Sequence, residues 1–60
     1  MPMIQVQLWK GVNQETKNKI AASITDLMVQ QINCPAEAVT VIMDDIEKSH
    51  WFIGGKNCEN

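Results

Sequence analysis

The sequence predicts an α/β protein, a short βαβ unit followed by a C-terminal β-hairpin. Three observations predict it. Ile4, Val6 and Leu8 alternate with Gln5, Gln7 and Trp9, the period-two pattern of a strand with one strongly apolar face. Ile20, Ile24, Leu27, Met28 and Ile32 then recur at helical steps and share one face. Val39 to Met43 alternates once more. A long helix between two strands implies a parallel crossover connection, right-handed by the usual chirality.

Each element has its own punctuation. The first strand is read over residues 4–9, and Lys10-Gly11-Val12-Asn13 ends it with Gly11 as the turn residue. Asn13 is a natural N-cap, because its side-chain oxygen can accept from the first free amides of a helix. The helix is read over residues 14–32, with Glu15 and Lys19 as an acid-before-base pair one turn apart. Asn33-Cys34-Pro35 stops it, since proline lacks the amide hydrogen and biases Cys34 away from helical angles. The second strand is read over residues 39–43, and residues 44–49 as an acidic turn. Trp51-Phe52-Ile53 before Gly54-Gly55 reads as a hairpin arm. One helix covers one face of a two-stranded sheet, so Trp9 and Ile42 point to the side left open. Such a unit is incomplete, and subunits are expected to pair sheets and stack faces.

Size leads to the same expectation. The chain has 60 residues, read as a single domain over 1–60, with a formal net charge of −2. A chain of this length buries only about 60% of its unfolded surface and usually needs disulfides, a metal or partner subunits. Cys34 and Cys58 allow at most one bridge, and there is no Cys-x-x-Cys. Oligomerisation is the favoured route. All five cations are lysines, and this mild acidity leaves no electrostatic footprint for nucleic acid or an anionic membrane. No apolar run is long enough to span a bilayer. The first fifteen residues show no charged and then apolar leader, so the expectation is a cytoplasmic chain with reduced thiols.

Few side chains mark themselves as chemical. Asp44, Asp45 and Glu47 imitate a metal or paired-acid site, but clustered turn acids are usually just solvated. His50 could shuttle protons, although a lone histidine beside a turn is more often structural. Cys34 and Cys58 have no adjacent base. There is no phosphate loop and no nucleotide fingerprint, and neither a cofactor nor a metal is expected.

Taken together, Met1-Pro2 running straight into a strand, Gly11 closing it, one long helix, Pro35 opening the return, the Val39 to Ile42 strand and His50-Trp51-Phe52-Ile53-Gly54-Gly55 carry a resemblance. Over essentially its whole length the chain resembles the 4-oxalocrotonate tautomerase family. The resemblance implies two units pairing into a four-stranded sheet with two helices, assembled as a homohexamer (a trimer of dimers). It also implies keto–enol tautomerisation of a small-molecule enol or 2-oxo acid, with Pro2 as general base once Met1 is removed. That role requires a free amine, neutral near pH 7. An ordinary α-amino group has a pKa of about 8, and an apolar pocket lowers it towards the working pH.

The departures from the family pattern are as informative. The family's arginine after the first turn is Val12 here, and that of the second strand is Thr40. Those arginines grip carboxylate and polarise carbonyl, so the usual dicarboxylate is not the expected substrate. A monocarboxylate or neutral enol, phenylpyruvate-like, fits better. Trp51 keeps the family's aromatic after the histidine, to line the proline site, though an ordinary interface aromatic would read the same way. Lys10 could hold one carboxylate as a point charge, against the plainer reading of a solvated turn lysine. Lys48 stands where relatives also tend to have lysine, so it reads as surface rather than as compensation for the arginines. The rival functions are a non-catalytic oligomeric scaffold, or a hydratase or dehalogenase in which a protonated proline serves as acid.

Overall fold

A computed structural model describes residues 2–59. Met1, whose removal the catalytic expectation requires, lies outside the described residues, as does Asn60. The order is β1 (Met3–Trp9), α1 (Gln14–Ile32), β2 (Thr40–Ile46), β3 (Phe52–Ile53) and β4 (Lys56–Asn57), with single 3-10 turns at Ala36–Ala38 and Lys48–His50. β1 and β2 form a parallel two-stranded sheet, and β3 and β4 an antiparallel hairpin.

The helix begins and ends where its sequence requires. The Asn13 side chain accepts from the Thr16 amide at 2.8 Å, satisfying one of the free N-terminal donors. Asn33 takes the left-handed conformation (φ 57°) and its amide donates to the Val29 carbonyl. Asparagine tolerates that conformation better than most residues. The hairpin turns on Gly54 and Gly55, both at positive φ (61° and 83°), as a two-residue turn compatible with right-handed strand twist demands.

β2 is longer than the alternation alone indicated. It begins at Thr40 and continues through Asp44, Asp45 and Ile46, so three residues read as part of an acidic turn belong to the ladder. The register runs unbroken from Met3 opposite Thr40 to Trp9 opposite Ile46. Each acid is accommodated by a partner on its own face. Gln5 donates to Asp44 at 2.9 Å, and Lys17 of α1 pairs with Asp45. Paired in this way, the two carboxylates are accommodated in a strand, where aspartate is otherwise disfavoured.

The sheet is two-sided. Ile4, Val6 and Leu8 are half-buried, while Gln5, Gln7 and Trp9 are exposed. α1 packs against β2, and the opposite face presents Met3, Trp9 and Ile42, which are 60%, 41% and 42% exposed. Among the described residues none is fully buried. The Cα radius of gyration is 14.3 Å, against about 10 Å for a compact chain of this length. The smallest extent is 13 Å. One copy is therefore a thin slab with one face of its sheet open.

At the C-terminal end of the sheet the Lys10 amide donates to the Ile46 carbonyl at 2.9 Å, and its ammonium bonds Glu47 at 3.0 Å. That hydrogen bond, with the charge of Glu47 behind it, raises the Lys10 pKa above its ordinary 10.5. A lysine raised on folding stabilises below its unfolded pKa, and the contribution is lost as pH rises through the higher folded value. Glu47→Gln should therefore lower the unfolding midpoint at pH 7 to 9, with the difference from wild type vanishing in stronger alkali, in denaturation curves taken across that range. Asn13→Ala should cost about 1 kcal/mol of stability and Asn13→Asp much less, in denaturant titrations at one fixed protein concentration.

Candidate active site

Pro2 stands at the mouth of the sheet. Its carbonyl accepts from the Thr40 amide at 3.0 Å, so the residue is tied to the second strand although it precedes the first. Proline suits this position because the strand's opening residue has no ladder donor to lose. The side chain is half-buried and Met3 beside it is exposed. Thr40, one of the two positions where the expected arginine is missing, lies at this same end, opposite Met3. A rigid strand thus fixes the ring at one corner of the molecule.

The other expected site residues gather at the opposite end. Lys10 leaves β1 there, and Val12 follows after the turn. Trp51 comes back after the 3-10 turn Lys48–His50 and meets Trp9 edge-to-face, with ring centroids 5.9 Å apart and planes at 79°. This is the preferred arrangement of two aromatic quadrupoles. The Lys48 ammonium lies 4.7 Å from the centre of a Trp9 ring, within cation–π range. Beside this cluster a cleft of about 240 Å³ is lined by Gln7, Ile46, His50, Trp51 and Phe52. Gln7, Trp9 and Ile46 belong to the sheet face turned away from α1.

One subunit therefore does not assemble a site. β1 is seven residues long, and at about 3.3 Å per residue it holds Pro2 and the Trp9–Trp51 cluster roughly 20 Å apart. Pro2 meets neither Trp51 nor Lys10 within its own chain. The acids that could have imitated a metal site are also separated, since Asp44 bonds Gln5, Asp45 pairs with Lys17 and Glu47 with Lys10. Among the described residues no three His, Cys, Asp or Glu side chains converge. Cys34 and Cys58 are both free thiols. No helix among the described residues is long and apolar enough to cross a membrane.

The stacking of Trp51 and Lys48 on Trp9 was not legible beforehand. Parity placed Trp9 on the open face, but nothing in the spacing of residues 44–51 told where the returning turn would land. With β2 continuing to Ile46, the turn starts level with Trp9, its partner on the ladder.

Known proteins share this fold. The family model described as tautomerase enzyme matches residues 2–60, beginning at Pro2. A probable tautomerase of Ralstonia nicotianae is 36% identical over 55 residues, covering 92% of this chain and 79% of that protein. Among solved structures, one of the 4-oxalocrotonate tautomerase isozymes of Methylibium petroleiphilum is 31% identical and superposes with a TM-score of 0.91, covering 97% of this chain and 94% of the other. A heterohexameric 4-oxalocrotonate tautomerase of Chloroflexus aurantiacus, 21% identical, shares the fold at a TM-score of 0.89, over 95% of this chain and 92% of that one. The βαβ unit with its hairpin is the tautomerase fold, and the chain belongs to the tautomerase family, among the relatives of 4-oxalocrotonate tautomerase.

Proposed function

We propose that this chain is a cofactor-independent keto–enol tautomerase whose general base is the ring nitrogen of Pro2, freed by removal of Met1. The observation that carries the reading is the position of Pro2, the first residue of the family match, held at the start of a rigid strand by the Thr40 amide. The neutral amine takes a proton from the carbon next to a carbonyl, leaving an enolate. The resulting ammonium returns that proton to oxygen or to another carbon, and the amine is regenerated. A dry, apolar setting keeps the amine neutral near the working pH.

That setting is built by more than one copy. The β1 edge, Met3–Trp9, carries no charge at all, whereas β2 carries Asp44 and Asp45. An open, uncharged edge pairs most readily, and antiparallel pairing avoids bringing the acids of two β2 strands together. If the pairing is centred on Val6, the midpoint of β1, Pro2 comes opposite Lys10 of the partner subunit and Met3 opposite Trp9 of the partner subunit. The roughly 20 Å that separate the pieces in one chain close across the pair. The result is a four-stranded sheet with two helices on one face. Stacking three such dimers through the open apolar faces gives a homohexamer, the number of subunits in the Chloroflexus relative. Two free thiols suit the reducing cytoplasm.

The substrate follows from what is missing. Without arginine at Val12 and Thr40 there is no bidentate grip on two carboxylates. Trp51 offers an aromatic wall, and the charge of Lys10 is already paired with Glu47, which weakens its hold on an anion. A phenylpyruvate-like monocarboxylate or a neutral enol fits better than a dicarboxylate. Loss of both arginines also fits a scaffold without chemistry, and the following measurements separate the two.

Intact mass of the natively produced protein should show Met1 removed. The Pro2 amine should titrate near about 6 to 7, as a base does, and not near 9, as an acid would. Pro2→Ala should lower kcat for phenylpyruvate tautomerisation at least about 100-fold. Retained Met1, or no turnover at all, leaves only the scaffold, and an activity that Pro2→Ala does not change overturns Pro2 as the base. Turnover of the family dicarboxylate as fast as by an arginine-bearing relative would overturn the substrate assignment. Thermal midpoints should rise with protein concentration, as they do when folding is linked to association.

A further inference from the structure

We infer that Lys48, held on the face of Trp9, is the group that receives the substrate's single carboxylate in place of the absent arginines. This rests on the proposed tautomerase reading and on the β1 pairing that brings Pro2 to this cluster.

Three observations carry it. The Lys48 ammonium sits 4.7 Å from the centre of a Trp9 ring, so the side chain is positioned by an aromatic surface and not by an acid. The ion pairs among the described residues use Lys10 and Lys17, not Lys48. Glu47, the acid next to Lys48 in the chain, is engaged by Lys10 at 3.0 Å. The Lys10–Glu47 pair thus neutralises the adjoining carboxylate and leaves one uncompensated positive charge beside the aromatic cluster. A ring face occupies one side of an ammonium, and the remaining N–H donors stay available to an anion.

The surroundings specify the rest of the ligand. Trp51 meets Trp9 edge-to-face and also lines the cleft, together with Gln7, Ile46, His50 and Phe52. Ile46, Trp51 and Phe52 give the cleft apolar walls for a flat ring, and the carboxylate is assigned to Lys48, which does not line the cleft but sits on the Trp9 ring that Trp51 meets. A second carboxylate would find no second uncompensated cation within the cluster. The site therefore selects small aromatic monocarboxylates, the selectivity residing in Lys48 and its Trp9 support. Trp9 is a positioning residue, since it acts through Lys48.

The chain's two tryptophans are Trp9 and Trp51, so intrinsic fluorescence reports this cluster alone. The assembled protein is titrated with phenylacetate and with phenylacetamide, which has the same ring and no charge. Wild type should bind the anion at least about tenfold more tightly, the scale of one charge-assisted hydrogen bond. Lys48→Gln should bring the two ligands to equal affinity, and Lys48→Arg should restore the preference, with circular dichroism checking the fold of each variant. Pro2→Ala should keep the preference while losing turnover, so the base assignment fails in turnover and the Lys48 assignment fails in binding. A preference that survives Lys48→Gln, or a wild type indifferent to the charge, overturns the inference.

Discussion

The structure depends on an apolar surface that one copy cannot cover. A single helix can roof only one face of a two-stranded sheet, and no described side chain is fully removed from water. Met3, Trp9 and Ile42 on the open face, Phe52 and Ile53 on the hairpin, and Leu27 and Ile32 on the helix are all more than two-fifths exposed. Burying one large apolar side chain contributes on the order of 1.5–3 kcal/mol. In the proposed assembly, association supplies a large part of the stabilisation that a longer chain would find within itself.

The same incompleteness bears on the chemistry. A strand is stiff, and that stiffness positions Pro2 well but keeps it a strand's length from every aromatic at the other end. Antiparallel pairing of two uncharged edges removes the distance without bending anything. On this reading the surface that needs covering and the amine that needs a dry environment are satisfied by the same contact. The base is then neutral only in the assembly, because a lone subunit would leave its nitrogen at a wet corner.

Loss of the arginines has a local counterpart. Where relatives are expected to present guanidinium groups, this chain presents Val12 and Thr40. At the end of the sheet away from Pro2, Trp51 and Lys48 each meet Trp9. A lysine on an aromatic face carries a point charge with little directional demand. Such a group suits one carboxylate on a flat apolar molecule, and it trades bidentate selectivity for tolerance.

Much was legible in the sequence, for stated reasons. The alternation in residues 4–9, the Asn13 cap and the Asn33–Pro35 stop act through neighbours in the chain, and the structure keeps each of them. Gly54-Gly55 could serve little else than a tight turn, and it makes one. The extent of β2 was not legible, because Asp44 and Asp45 look like turn residues until Gln5 and Lys17, distant in sequence, are seen beside them. Nor was the Lys48–Trp9–Trp51 stack. Local pattern determined the elements and their faces. Only the tertiary structure decided which side chains meet, because such contacts depend on where the parallel register sets the end of one strand against the start of the next turn.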